Sequence, residues 1–177
     1  MLSLVDNKKL KIISFFLEHP TEEIHLRALA RKLKISPTWI TKILNSLVKA
    51  RLVITRKREN VLMIKSNRDS NEFKRLKISS NLYRIHESGL WDALIDTYNK
   101  PECILIFGSF RRGEDTEKSD IDLAVITSKN INKDWSKFER KLDRKIKIQE
   151  LKKEKIEPEF MNTLSNGIIL YGYLEVR

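Results

Sequence analysis

The residues best suited to chemistry lie between Phe107 and Ile126. Gly108-Ser109 comes first, then Arg111-Arg112-Gly113, then Ser119-Asp120-Ile121-Asp122-Leu123, with Ser109 and Asp120 eleven residues apart. Apolar runs flank this stretch, Cys103 to Phe107 before it and Ile121 to Ile126 within it, and both are predicted to be strands. Strand side chains alternate between faces, so Asp120 and Asp122 project to one side while Ile121 and Leu123 anchor the other. Two carboxylates side by side repel unless a cation lies between them. The chemistry expected of such a pair is hard-oxygen coordination of a divalent ion, Mg²⁺ or Mn²⁺, carrying nucleotide phosphates. The Gly-Ser step follows a strand and is predicted to enter a helix, whose free N–H groups suit phosphate oxygens.

Gly108-Ser109, Arg112-Gly113 and Ser119 to Leu123, taken with their spacing, resemble the signature of the minimal nucleotidyltransferases, relatives of DNA polymerase β. The resemblance implies that Gly108 and Ser109 hold the triphosphate of an incoming nucleotide. It makes Asp120 and Asp122 the metal ligands and catalytic carboxylates, and gives Arg112 the developing charge on pyrophosphate. The implied cofactor is Mg²⁺ or Mn²⁺, and the implied substrate is a nucleoside triphosphate, ATP foremost. That family usually adds a third carboxylate on a later strand. Here the strand is Lys145 to Leu151, where the in-phase positions hold Lys147 and Gln149, and Glu150 is one residue out of phase. Two expectations follow. Either Glu150 or a substrate group completes the site, or Lys147 neutralises the aspartates and the domain binds nucleotide and turns it over slowly or not at all.

The chain has 177 residues, 35 Lys+Arg and 24 Asp+Glu, for a net charge of +11. Residues 1–69 hold 15 basic against 6 acidic residues, so most of the excess is N-terminal and a polyanion partner is expected there. No apolar stretch nears the ~20 residues that span a bilayer, which predicts no membrane partner. The acidic-then-basic start is unlike a secretory signal. The single cysteine, Cys103, has no partner for an internal disulfide and lies in a core strand, so a reducing cytoplasmic setting is expected. His19, His25 and His86 show no metal-ligand spacing with one another or with Cys103.

The N-terminal residues give the charge a frame. Helical periodicity covers Asn7 to Glu18 and Leu26 to Leu33, and a third helix follows Ser36-Pro37, a good N-cap and first residue. Strand candidates Leu52 to Ile54 and Val61 to Ile64 flank the basic run Arg56-Lys57-Arg58-Glu59-Asn60. This order resembles a winged helix-turn-helix domain. The resemblance implies duplex DNA as partner, with Thr38, Thr41, Lys42 and Asn45 of the third helix in the major groove. Arg56, Lys57 and Arg58 of the hairpin would lie on phosphates. It also implies a homodimer, the common form of winged-helix readers. The plain alternative is a packing or dimerisation module with a solvated polar face, and Trp39 is expected at the core rim rather than on DNA.

The polar stretch Ser66 to Ser70 is the expected boundary, giving a winged helix-turn-helix at 1–68 and a nucleotidyltransferase-like domain at 69–177. The second begins with a bridging helix over 71–88, parted by Gly89 from a further helix. Helices are predicted over 132–144 and 157–164, and an apolar segment over 168–174. The fold class is therefore α/β (α+β) in two domains, with a small mixed C-terminal sheet flanked by helices. The first functional expectation is Mg²⁺-dependent transfer of a nucleoside monophosphate to an acceptor, a protein acceptor included. The alternative is a DNA-binding transcriptional regulator whose degenerate nucleotidyltransferase domain binds nucleotide or serves as a scaffold. RNA modification is a third, lesser reading.

Overall fold

The structure is a computed structural model that describes residues 7–175. It divides into two compact units, Met1–Lys77 and Ile78–Arg177.

The first unit runs α1 (Asn7–Glu18), β1 (Glu23–His25), α2 (Leu26–Leu33), α3 (Pro37–Lys49), β2 (Val53–Arg58) and β3 (Val61–Ser66). This is the winged helix-turn-helix order, with one short strand, β1, that the sequence reading did not foresee. Local signals set its corners. His25 Nδ1 accepts the Ala28 N–H at 3.1 Å, and Ser36 Oγ accepts the Trp39 N–H at 3.3 Å, each satisfying a helix-start donor. Lys34, left-handed with φ 56°, closes α2. The sheet order is β1-β3-β2, all antiparallel. Its hairpin turns on Glu59 and Asn60, both at positive φ, so the strands extend further than expected and Arg56 to Arg58 lie on β2 itself. Ile12, Phe16, Leu29, Ile40, Leu47 and Ile64 form the core, with Trp39 partly buried at its rim.

Helix α4 (Asn71–Ser88) begins where Ser70 Oγ accepts the Phe73 N–H at 3.0 Å. Gly89, at φ 81°, separates it from α5 (Leu90–Tyr98). The second unit, which begins within α4 at Ile78, continues after α5 with β4 (Cys103–Phe107), α6 (Gly108–Arg112), β5 (Ile121–Ile126), α7 (Ser136–Leu142), β6 (Ile146–Leu151), α8 (Pro158–Ser165) and β7 (Ile168–Gly172). The sheet order is β6-β5-β4-β7, with β5 and β6 parallel and the other pairs antiparallel. The crossover helix α7 is shorter than the predicted 132–144. Asp134 accepts from the Ser136 N–H at 2.9 Å and its hydroxyl at 2.8 Å, a turn that competes with helix, and left-handed Asp143 ends it.

Both sheet faces are covered, which explains the continuous apolar runs. Ile104, Ile106, Ile121, Leu123 and Val125 pack on one face with Leu90, Leu94, Tyr98 and Leu142. Cys103, Leu105, Phe107, Ala124 and Ile126 pack on the other with Leu164. Cys103 is a small core residue, its thiol pushed up to about 11 chiefly by burial. Leu123, next after Asp122 on β5, is fully buried. Leu123→Ala is expected to cost about 2–5 kcal/mol, read as a lowered urea midpoint.

Candidate functional site

Register brings the acidic pair and the Gly-Ser bend together. Phe107, the last residue of β4, pairs with Asp122 of β5, so the chain leaving β4 turns directly over the Asp122 side chain. Gly108 makes that turn at φ 69°, and a Cβ there would collide with Asp122 Oδ2. Only glycine meets both conditions, since it tolerates the left-handed region and has no side chain to clash. The bend enters α6, and Gly113, at φ 66°, closes it. Asn81 holds this turn from behind, donating to the Phe110 carbonyl at 3.0 Å and to Asp115 Oδ1 at 2.8 Å.

Asp120 precedes β5, positioned by a turn in which Ser119 Oγ accepts the Thr116 N–H at 2.9 Å. The following residue, Ile121, donates its N–H to the Lys145 carbonyl at 2.8 Å, tying this end of β5 to the approach of β6. Burial raises the Asp122 carboxyl above the usual carboxylate range, and the neighbouring charge of Asp120 adds to the rise. Lys147 and Arg112 act in the opposite sense. Arg112 is therefore close enough to be felt at the pair, although its Nε is engaged with Glu114 at 2.8 Å.

The parallel register of β5 and β6 decides the third position. Asp122 stands beside Lys147 and Val125 beside Glu150, so Lys147 shares the aspartates' face and Glu150 points to the other. Lys147 Nζ lies 2.5 Å from Asp120 Oδ2. Glu150 is committed elsewhere, accepting from the Tyr98 hydroxyl at 2.7 Å and from the Ile131 N–H at 2.9 Å. The expectation that Glu150 could complete the site is thus corrected: one residue of phase puts it on the opposite face of the sheet. No group of three His, Cys, Asp or Glu suited to a metal occurs among the described residues.

A cleft of about 370 Å³ opens beside Asp120, walled in part by Ser119, Arg140, Arg144 and Lys145. The Arg144 side chain is 4 % exposed. Its Nη1 donates to the Asp143 carbonyl at 2.7 Å, while Nε and Nη2 have no hydrogen-bond partner among the described residues. Sequence reasoning missed this guanidinium, because nothing in Leu142-Asp143-Arg144-Lys145 signals that the arginine is the buried member.

In the first unit, Thr38, Thr41, Lys42 and Asn45 are all exposed on α3, and Arg56, Lys57 and Arg58 are exposed on β2. They are not equally free. Thr41 Oγ1 donates to the Pro37 carbonyl at 3.0 Å, and Arg56 Nη2 donates to Glu23 Oε2 at 2.6 Å across the sheet. That hydrogen bond holds the Glu23 carboxyl below its usual range. Among the described residues, no helix is long and apolar enough to cross a membrane.

The fold disfavours the charged form of Asp122, so its stabilising contribution is full below the unfolded pKa and lost as pH rises through the folded one. Asp122→Asn is therefore expected to melt higher than the wild type at neutral pH without metal. The gap should close towards about pH 3, where both side chains are neutral. Thermal scans across that range check the sign.

Residues 92–175 match the family model described as Polymerase beta, Nucleotidyltransferase. No curated protein matches the chain. Among solved structures, the adhesin competence repressor (AdcR) of Streptococcus pyogenes is similar at 17% identity, with a TM-score of 0.39, over 54% of this chain and 69% of that one. The matched stretch spans β4 through β7, together with the Gly-Ser bend and both aspartates, so this part of the chain is similar to polymerase β-type nucleotidyltransferases.

Proposed function

We propose that this protein is a DNA-binding regulator whose C-terminal unit binds a nucleoside triphosphate, ATP foremost. The observation that carries the nucleotide half is Gly108 lying bare against Asp122, with Asp120 joined to Lys147, the residue beside Asp122. A glycine kept free of side chain beside two carboxylates leaves room for phosphate oxygens to approach the backbone. The first N–H groups of α6 are the donors for them. Two aspartates supply part of a hard-oxygen shell and leave the other positions to phosphate and water, so the donor set fits Mg²⁺ or Mn²⁺ that arrives with the nucleotide. The ion would offset phosphate charge there. Arg112, adjacent to the pair, supplies a further positive charge.

The N-terminal unit supports the DNA half. Its third helix presents mixed donors and acceptors, and Lys57 and Arg58 stand exposed at the end of the wing, suited to phosphate contact. Homodimer formation belongs to the same proposal.

The family match favours a second reading, nucleotidyl transfer to an acceptor hydroxyl. The acceptor oxygen would bond to the α-phosphorus, the bond to pyrophosphate would break, and the hydroxyl proton would have to leave. With Lys147 at the third position and Glu150 on the far face, that proton goes to solvent or to a group on the acceptor. Arg140, Arg144 and Lys145 beside Asp120 suit an acceptor carrying negative charge.

Calorimetry is expected to show binding of a non-hydrolysable ATP analogue with Mg²⁺. Replacing Asp120 and Asp122 together by Ala should weaken it at least about tenfold, the scale of losing charge-assisted contacts. Unchanged affinity in the double variant would remove the site. Incubation with ATP labelled on its α-phosphate separates the two readings, since covalent label on protein or nucleic acid supports transfer and none supports binding alone. For the first unit, duplex DNA affinity should fall steeply with salt. Lys57→Ala with Arg58→Ala should lower the log–log slope by about 2. A mobility shift indifferent to salt would reject DNA binding.

A further inference from the structure

Resting on the nucleotide reading above, we propose that Lys147 is a resident counter-ion. A divalent ion must displace it from Asp120, and the displaced ammonium then becomes a phosphate ligand. Register fixes its place: Lys147 stands beside Asp122 on the aspartates' face, with Nζ 2.5 Å from Asp120 Oδ2. An ammonium and a divalent cation cannot share one carboxylate edge without strong repulsion, so each excludes the other.

The surroundings leave this role to Lys147. Glu150 faces away. Lys145, two residues earlier on the same strand side, is held by Glu139 at 3.0 Å, and Arg112 by Glu114. The Lys147 side chain is 65% exposed, against 30% for Asp120, so its stem can swing without disturbing packing. A polyphosphate delivered to the Gly108 bend brings negative charge within reach of the freed ammonium and compensates the ion pair it has lost. Bare metal offers no such compensation. The site should therefore accept metal together with nucleotide and resist metal alone.

The test compares wild type, Lys147→Met and Lys147→Arg, with Mn²⁺ binding read by electron paramagnetic resonance. Without nucleotide, Lys147→Met is expected to bind Mn²⁺ about tenfold more tightly than wild type, since the competing charge is gone. For the Mn²⁺ complex of β,γ-imido ATP the order should reverse, with Lys147→Met weaker by a similar factor. Lys147→Arg should keep the wild-type order. A purely structural lysine would not produce opposite signs in the two titrations. Equal Mn²⁺ affinity in wild type and Lys147→Met, or both affinities moving the same way, overturns the proposal. Tighter Mn²⁺ in Lys147→Met with no analogue bound by any variant overturns the nucleotide reading and the handover, and leaves only the competition for Asp120.

Discussion

Two carboxylates projecting from one face of a strand repel each other, and the C-terminal unit is arranged to hold them there. The pairing of Phe107 with Asp122 sets the geometry, because it delivers the chain after β4 onto the acidic side chain. From that single register the bare Gly108, the α6 turn and the Asn81 brace behind it follow. Burying one face of β4 and β5 under α5 and the other under α8 makes the register costly to slip. The raised carboxyl of Asp122 is the local free-energy cost of the arrangement.

Lys147 changes what this frame does. In a parallel pair of strands, neighbouring positions share a face, so the residue beside Asp122 decides whether the cluster becomes more negative or is balanced. A carboxylate there would deepen the need for metal. The lysine instead gives Asp120 a partner of its own, and the hydrogen bonds of Glu150 to Tyr98 and Ile131 commit the nearest acidic substitute elsewhere. Under the proposed reading, nucleotide recognition and chemical turnover become separable: the bend and the paired aspartates are the proposed binding elements, while among the described residues no third carboxylate shares their face of β6.

The N-terminal unit separates its cations in the same way. Arg56 is bound to Glu23 and stiffens the small sheet, whereas Lys57 and Arg58 extend along β2 to the hairpin turn. Charge counted along the sequence overstates what a polyanion would meet, because part of it is spent on the fold.

Much of this was legible from residue order alone. The helix breaks at Gly89 and Ser36-Pro37, the doubly buried strands, the Gly-Ser bend and the facing of Asp120 and Asp122 all follow from periods and turn chemistry that act over a few residues. The sequence also placed Lys147 in phase and Glu150 out of phase, since alternation along a strand needs no partner to define it. Sequence could not say that Glu150 is tied to Tyr98, that Arg56 is tied to Glu23, or that Arg144 is the buried arginine beside Asp120. Those depend on which distant segments meet, and hydrogen bonds and burial between residues far apart in sequence are decided only when the sheet closes.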